Sequence, residues 1–133
     1  YWRAKTEEMR QFWYKTDTWL KTIIEDTSNL PEIARLNSIL ECDIMYVYKQ
    51  LANSFLPRHR DYDIITAVNI LLTDEVSPIT FDHGDEYYKH ALIDVSQRHS
   101  VKPHPTDRLL LKFAWHEKTF EEVKKELKHK CLI

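Results

Sequence analysis

Glycine occurs once in the 133 residues, at Gly84. Phosphate-cradling loops of the Walker, Rossmann and kinase types each need several glycines for close backbone approach, so all three are excluded. Tight hairpins also favour glycine at positive φ. A fold of many hairpins is therefore unexpected, and the remaining simple class is all-α. Cysteine occurs twice, as Cys42 and Cys131, with no CxxC pair, so there is no disulfide framework and no thiolate zinc motif. No run of 18 apolar residues is present, so no membrane span is expected, and no Asn-x-Ser/Thr sequon occurs. Nor does charge of either sign dominate. Nineteen basic and 21 acidic side chains leave a formal charge of −2, with no global pull toward nucleic acid or lipid. These absences together suggest an intracellular protein, cytoplasmic or nuclear. The chain opens at Tyr1 without a methionine, already in a helical pattern, which suggests a domain excised from a larger protein.

What the sequence does contain is apolar residues at helical spacing. Ile33, Leu36, Leu40, Ile44, Val47, Leu51 and Phe55 recur at steps of three and four, which predicts one central helix from Pro31 to Leu56. Pro31 suits a first turn, Ser28 or Asn29 can cap it, and Pro57 stops the run. A first helix is expected over roughly Trp2 to Glu25, on Met9, Phe12, Trp13, Leu20, Ile23 and Ile24. Ile64 to Leu72 reads as buried helix or buried strand, and the lack of a second strand to pair with favours helix. Residues 73–84 form a loop. Asp85 then caps a helix carrying Tyr88, Ala91, Leu92 and Val95. After a second loop from His99 to Pro105, a last helical region starts at Thr106 or Asp107. Thr119 and Glu122 have capping-box spacing, which permits a break near Lys118. The expectation is a single-domain bundle of five to six helices spanning residues 1–133.

Histidine is the enriched functional type, with His83, His90, His99, His104 and His116 all between positions 83 and 116. Their spacing matches no metal-ligand signature such as HExxH, so no metal and no other cofactor is expected there. Arg98-His99-Ser100-Val101-Lys102-Pro103-His104 resembles the short motif of HEPN-type ribonucleases, which are small helical bundles. That resemblance implies His104 as general acid–base and Arg98 as phosphate-binding cation, in a domain that binds or cleaves RNA. Pro103 departs from the helical setting of the motif. Neither cysteine sits in a cationic loop and no Gly-x-Ser-x-Gly is present, so nucleophilic catalysis has no support.

Aromatic residues make up 12% of the chain, with seven tyrosines and four tryptophans, more than one small bundle needs to bury. Such side chains dominate binding hot spots, together with arginine. The expected function is thus a non-catalytic protein–protein interaction module, an adaptor, scaffold or regulatory domain. Trp19, Trp115, Tyr46, Tyr48, Tyr87, Arg58 and Arg60 would bind a protein or a helical peptide segment. Nucleic acid is the second partner class, through the loop arginines.

Overall fold

A computed structural model describes residues 3–4, 19–73 and 77–131. In chain order the elements are β1 (Arg3–Ala4), β2 (Trp19–Ile23), α1 (Pro31–Leu40), β3 (Ile44–Gln50), β4 (Leu56–His59), β5 (Thr66–Leu71), β6 (Ser77–Phe81), β7 (Gly84–Tyr88), β8 (His90–Ile93), β9 (His99–Val101), β10 (Arg108–Trp115) and α2 (Phe120–His129). The strands form two antiparallel sheets. One has the order β1-β2-β3-β10-β5-β8 and the other β4-β9-β6-β7. The expected all-α bundle is therefore corrected to a β-sandwich with two helices among the described residues.

Alternation along β10 shows how the layers are built. Leu111, Phe113 and Trp115 face outward and pack with Val123 and Leu127 of α2 and Leu40 of α1. Ala114 faces inward with Ile79 of the smaller sheet and Ile93 of β8. Leu110, beside Tyr46, Tyr48 and Leu56, fills the other half of the interior. Helices thus cover the outer face of the large sheet, and the small sheet covers its inner face.

Each misread helix has a physical reason. The run from Pro31 stays helical only to Leu40, where Glu41 turns left-handed at φ 53°. Ile44 to Gln50 then pairs with β2 on one side and β10 on the other. With Met45 packed under the helices and Tyr46 and Tyr48 inside the sandwich, β3 is apolar on both faces. A doubly covered strand reads as a continuous apolar run, which a helical stripe can match by accident. Thr66–Leu71 does have partners to pair with, in β10 and β8. The segments expected as helices around residues 19–23, 85–95 and 108–115 are also strands. Trp2, Met9, Phe12 and Trp13 lie outside the described residues.

Helix α1 does carry Pro31 in its first turn, but its cap is Leu30, without the side-chain bond expected of Ser28 or Asn29. Helix α2 begins where Thr119 and Glu122 form both halves of the capping box. Scarce glycine excluded less than it seemed. Asn53 supplies one left-handed position at φ 62°, and Gly84 takes φ 129° in the β6–β7 turn. Both cysteines are free. Among the described residues no helix is long and apolar enough to cross a membrane.

Candidate metal centre

His59 closes β4 and His99 opens β9, and the two are register partners on adjacent antiparallel strands. Directly opposed residues share a face, so the two imidazoles meet, with ring centroids 4.5 Å apart. Asp61 follows His59 by two residues, the spacing that returns a side chain to the same side. Its backbone N–H donates to the Val95 carbonyl at 3.1 Å, which ties this connection to the one between β8 and β9. Asp61 Oδ1 then lies 3.2 Å from His59 Nε2 and 3.6 Å from His99 Nε2. All three side chains are buried, and their ligand atoms lie within 4.8 Å of one another. Among the described residues they form the one such group of three or more His, Cys, Asp or Glu.

The far ring nitrogens fix what these atoms are. His59 Nδ1 lies 2.7 Å from the Pro57 carbonyl oxygen, and His99 Nδ1 lies 2.7 Å from that of Gln97. A carbonyl only accepts, so each Nδ1 carries the hydrogen and each Nε2 turns a lone pair toward the centre in the neutral ring. Two lone pairs and a carboxylate oxygen then face one another. Three acceptors this close need a cation between them, either protons on the rings or a metal ion. Backbone-anchored Nδ1–H groups are the usual support of metal-bound histidines. Metal bonds near 2.1 Å would place neighbouring ligand atoms about 3 Å apart, close to the observed contacts. The residues present therefore fit a metal.

The large sheet supplies the opposite wall. On the inner side of β10, Lys112 is buried and places Nζ 3.5 Å from Asp61 Oδ2 and 5.0 Å from the Tyr48 ring centroid. Four residues earlier on that strand, buried Arg108 donates from Nε at 2.9 Å, and from Nη2, to Gln50 Oε1. Gln50 is held in turn by donating to the Ser54 and Lys102 carbonyls at 2.7 and 3.2 Å. Burial pushes the Tyr48 phenol well above its usual range, with the Asp61 charge adding to the shift, so Tyr48 stays protonated.

His99, Lys112, Arg108, Tyr48, Gln50, Asn69 and Trp19 line one pocket of about 30 Å³ between the sheets, partly open to solvent. Trp19 Nε1 and Asn69 Oδ1 are buried there without a hydrogen-bond partner. Such atoms are costly unless a polar ligand or water meets them.

Several residues expected to bind a partner lie inside this structure. Trp19, Tyr46, Tyr48 and Trp115 are all buried, and the Trp115 indole donates to the Glu41 carbonyl at 3.2 Å. Tyr87 is 66% exposed, and Arg58 and Arg60 are exposed beside His59, with Arg58 paired to Asp82. Arg98 and His104 lie beyond opposite ends of β9, and neither cleft that Arg98 lines includes His104. His83 pairs with Glu86 on an exposed hairpin and stacks on Phe81, which itself lies against the His99 ring. Reading His99 as a loop residue hid the site. The readable signal was a His-x-Asp triplet with a distal histidine.

No protein-family model matches the chain, and no curated protein matches it. Solved structures do. A Pseudomonas putida prolyl-4-hydroxylase aligns at TM-score 0.56 and 14% identity, over 88% of this chain and 77% of that one. The Schizosaccharomyces pombe Cnp3 cupin domain aligns at 0.53 and 9%, over 87% and 73%. A 2OG-Fe(II) oxygenase family protein from Burkholderia pseudomallei aligns at 0.52 and 13%, over 77% and 73%. The helical adaptor reading and its HEPN-like alternative both required an all-α bundle, and this likeness to β-sandwich proteins overturns them. At these identities the neighbours show the fold alone, and that fold is a cupin-like sandwich of antiparallel strands.

Proposed function

We propose that His59, Asp61 and His99 hold one divalent transition metal, iron(II) by the ligand set, and that the chain is an oxygenase consuming a 2-oxo acid. One observation carries this reading. Two Nε2 lone pairs and one carboxylate oxygen converge, and both rings are locked by backbone carbonyls. Two imidazoles and one carboxylate, with the remaining positions open, are the ligand set of non-haem iron(II) oxygenases. Bound iron(II) would supply dioxygen activation.

The chain's own side chains do the rest. Arg108, buried and braced by Gln50, offers a planar guanidinium to a carboxylate. Trp19 Nε1 adds an unused donor in the same cavity. Two solved neighbours, a prolyl-4-hydroxylase and a 2OG-Fe(II) oxygenase, make 2-oxoglutarate the first co-substrate to try.

The test is succinate and carbon dioxide formation from 2-oxoglutarate by the iron(II)-loaded protein in air, with ascorbate supplied to reduce the second oxygen atom of dioxygen. Wild type should form succinate, His59→Ala should form none, and Arg108→Met should require much more 2-oxoglutarate. Metal bound without any succinate formed would contradict the oxygenase. A second reading would then stand, a metal site acting on a smaller anion. The tight cavity of about 30 Å³ favours that alternative.

A further inference from the structure

Lys112 is the buried group that a metal site of this kind does not call for. It is 3% exposed and reaches Asp61 from the opposite sheet. Its ammonium meets Oδ2, while Oδ1 faces the two histidines. A metal held by the triad would share this one carboxylate with a fixed positive charge.

Two effects of Lys112 compete. By holding Oδ2 it orients Asp61, and losing such an outer contact typically weakens metal binding about 10- to 100-fold. By its charge it repels a dication at short range, where the effective dielectric is far below that of water. The 3.5 Å contact lies at the long limit of a hydrogen bond, so its orienting effect is small. Asp61 also keeps its Oδ1 contacts to the two histidine rings without it. Repulsion therefore dominates. An anion entering the cavity lined by Lys112, Arg108 and His99 would relieve it.

We infer that Lys112 makes metal loading of the triad conditional on an anionic co-ligand, so that metal and anion bind as a coupled pair. The inference rests on the metal reading proposed above. Coupling of this kind is reciprocal, so the metal should tighten anion binding by the same factor.

Cobalt(II) binding, measured by calorimetry with and without 2-oxoglutarate, tests it in the whole chain. Wild type should bind cobalt(II) weakly alone. Lys112→Met should bind it at least tenfold more tightly. Chelation of the metal by 2-oxoglutarate helps both proteins, so only the excess in wild type reports Lys112. That excess should be about tenfold. Equal cobalt(II) affinity in the two proteins overturns the inference while leaving the metal reading intact. Cobalt(II) binding that His99→Ala leaves unchanged overturns both. Should Lys112→Met fail to fold, Lys112→Gln replaces it. A wild-type gain below threefold on adding 2-oxoglutarate, and again on adding the smaller dianion oxalate, overturns the inference without any variant.

Discussion

Asp61 serves two neighbours, turning Oδ1 to the histidines and Oδ2 to Lys112. Asp61→Asn keeps the shape and removes the charge that both sides use. At 3.5 Å the pair is loose, yet removing the carboxylate charge still leaves the buried Lys112 ammonium less well compensated. Asp61→Asn should therefore lose metal binding and also lower the urea midpoint in metal-free buffer. An unchanged midpoint would mean that the Lys112 contact contributes nothing to stability. The histidines differ from Asp61 in having their outer nitrogens tied to the backbone, at the Pro57 and Gln97 carbonyls. His59→Gln and His99→Gln should accordingly lose metal while folding normally, as read by circular dichroism.

Helix α2 is the element whose chemistry is most local. Thr119 accepts from the Glu122 backbone N–H at 3.2 Å, and the Glu122 carboxylate accepts from the Thr119 N–H at 3.4 Å. Thr119→Ala should cost about 1 kcal/mol and lower Tm by about 4 °C. The β6–β7 hairpin is tied to the strand β9 end by Lys102, whose Nζ donates to Asp85 Oδ2 at 2.7 Å. That bond, and one from the Thr80 hydroxyl, hold the Asp85 carboxyl below its ordinary 3.8, while the same pairing raises Lys102 above 10.5. A depressed carboxyl stabilises above its unfolded value and loses that contribution as pH falls through the folded one. A raised amine stabilises below its unfolded value and loses that contribution as pH rises through the folded one. The Tm difference between wild type and Asp85→Asn should therefore be flat from about pH 5 to 9 and shrink at both extremes.

Local chemistry is also what made elements legible. The capping box and Pro31 are signals carried within a few residues, and both mark real helix starts. Strands β3, β5 and β10 depend on partners distant in sequence, such as Phe113 opposite both Met45 and Val68. Covered on both faces, they lack the polar alternation that announces a strand. The site was hidden for the same reason, since His59 and His99 become neighbours only through the β4–β9 register.

At the scale of the molecule, the triad sits where the two sheets are joined. Asp61 lies between β4 of the small sheet and β5 of the large one, and its N–H bonds to Val95 on the return connection. A cation bound there ties both crossings to His99, and it binds the folded chain only. At a hundredfold excess over Kd, such a ligand adds about 2.7 kcal/mol of stability. Cobalt(II) should therefore raise Tm, and a chelator should return it to the metal-free value.

The most direct measurement is the stoichiometry of cobalt(II) bound at equilibrium by wild type, His59→Ala and His99→Ala, with 2-oxoglutarate present. The structure predicts one equivalent in wild type and none in either folded variant. Wild type binding no cobalt(II), or all three binding alike, would contradict the metal centre.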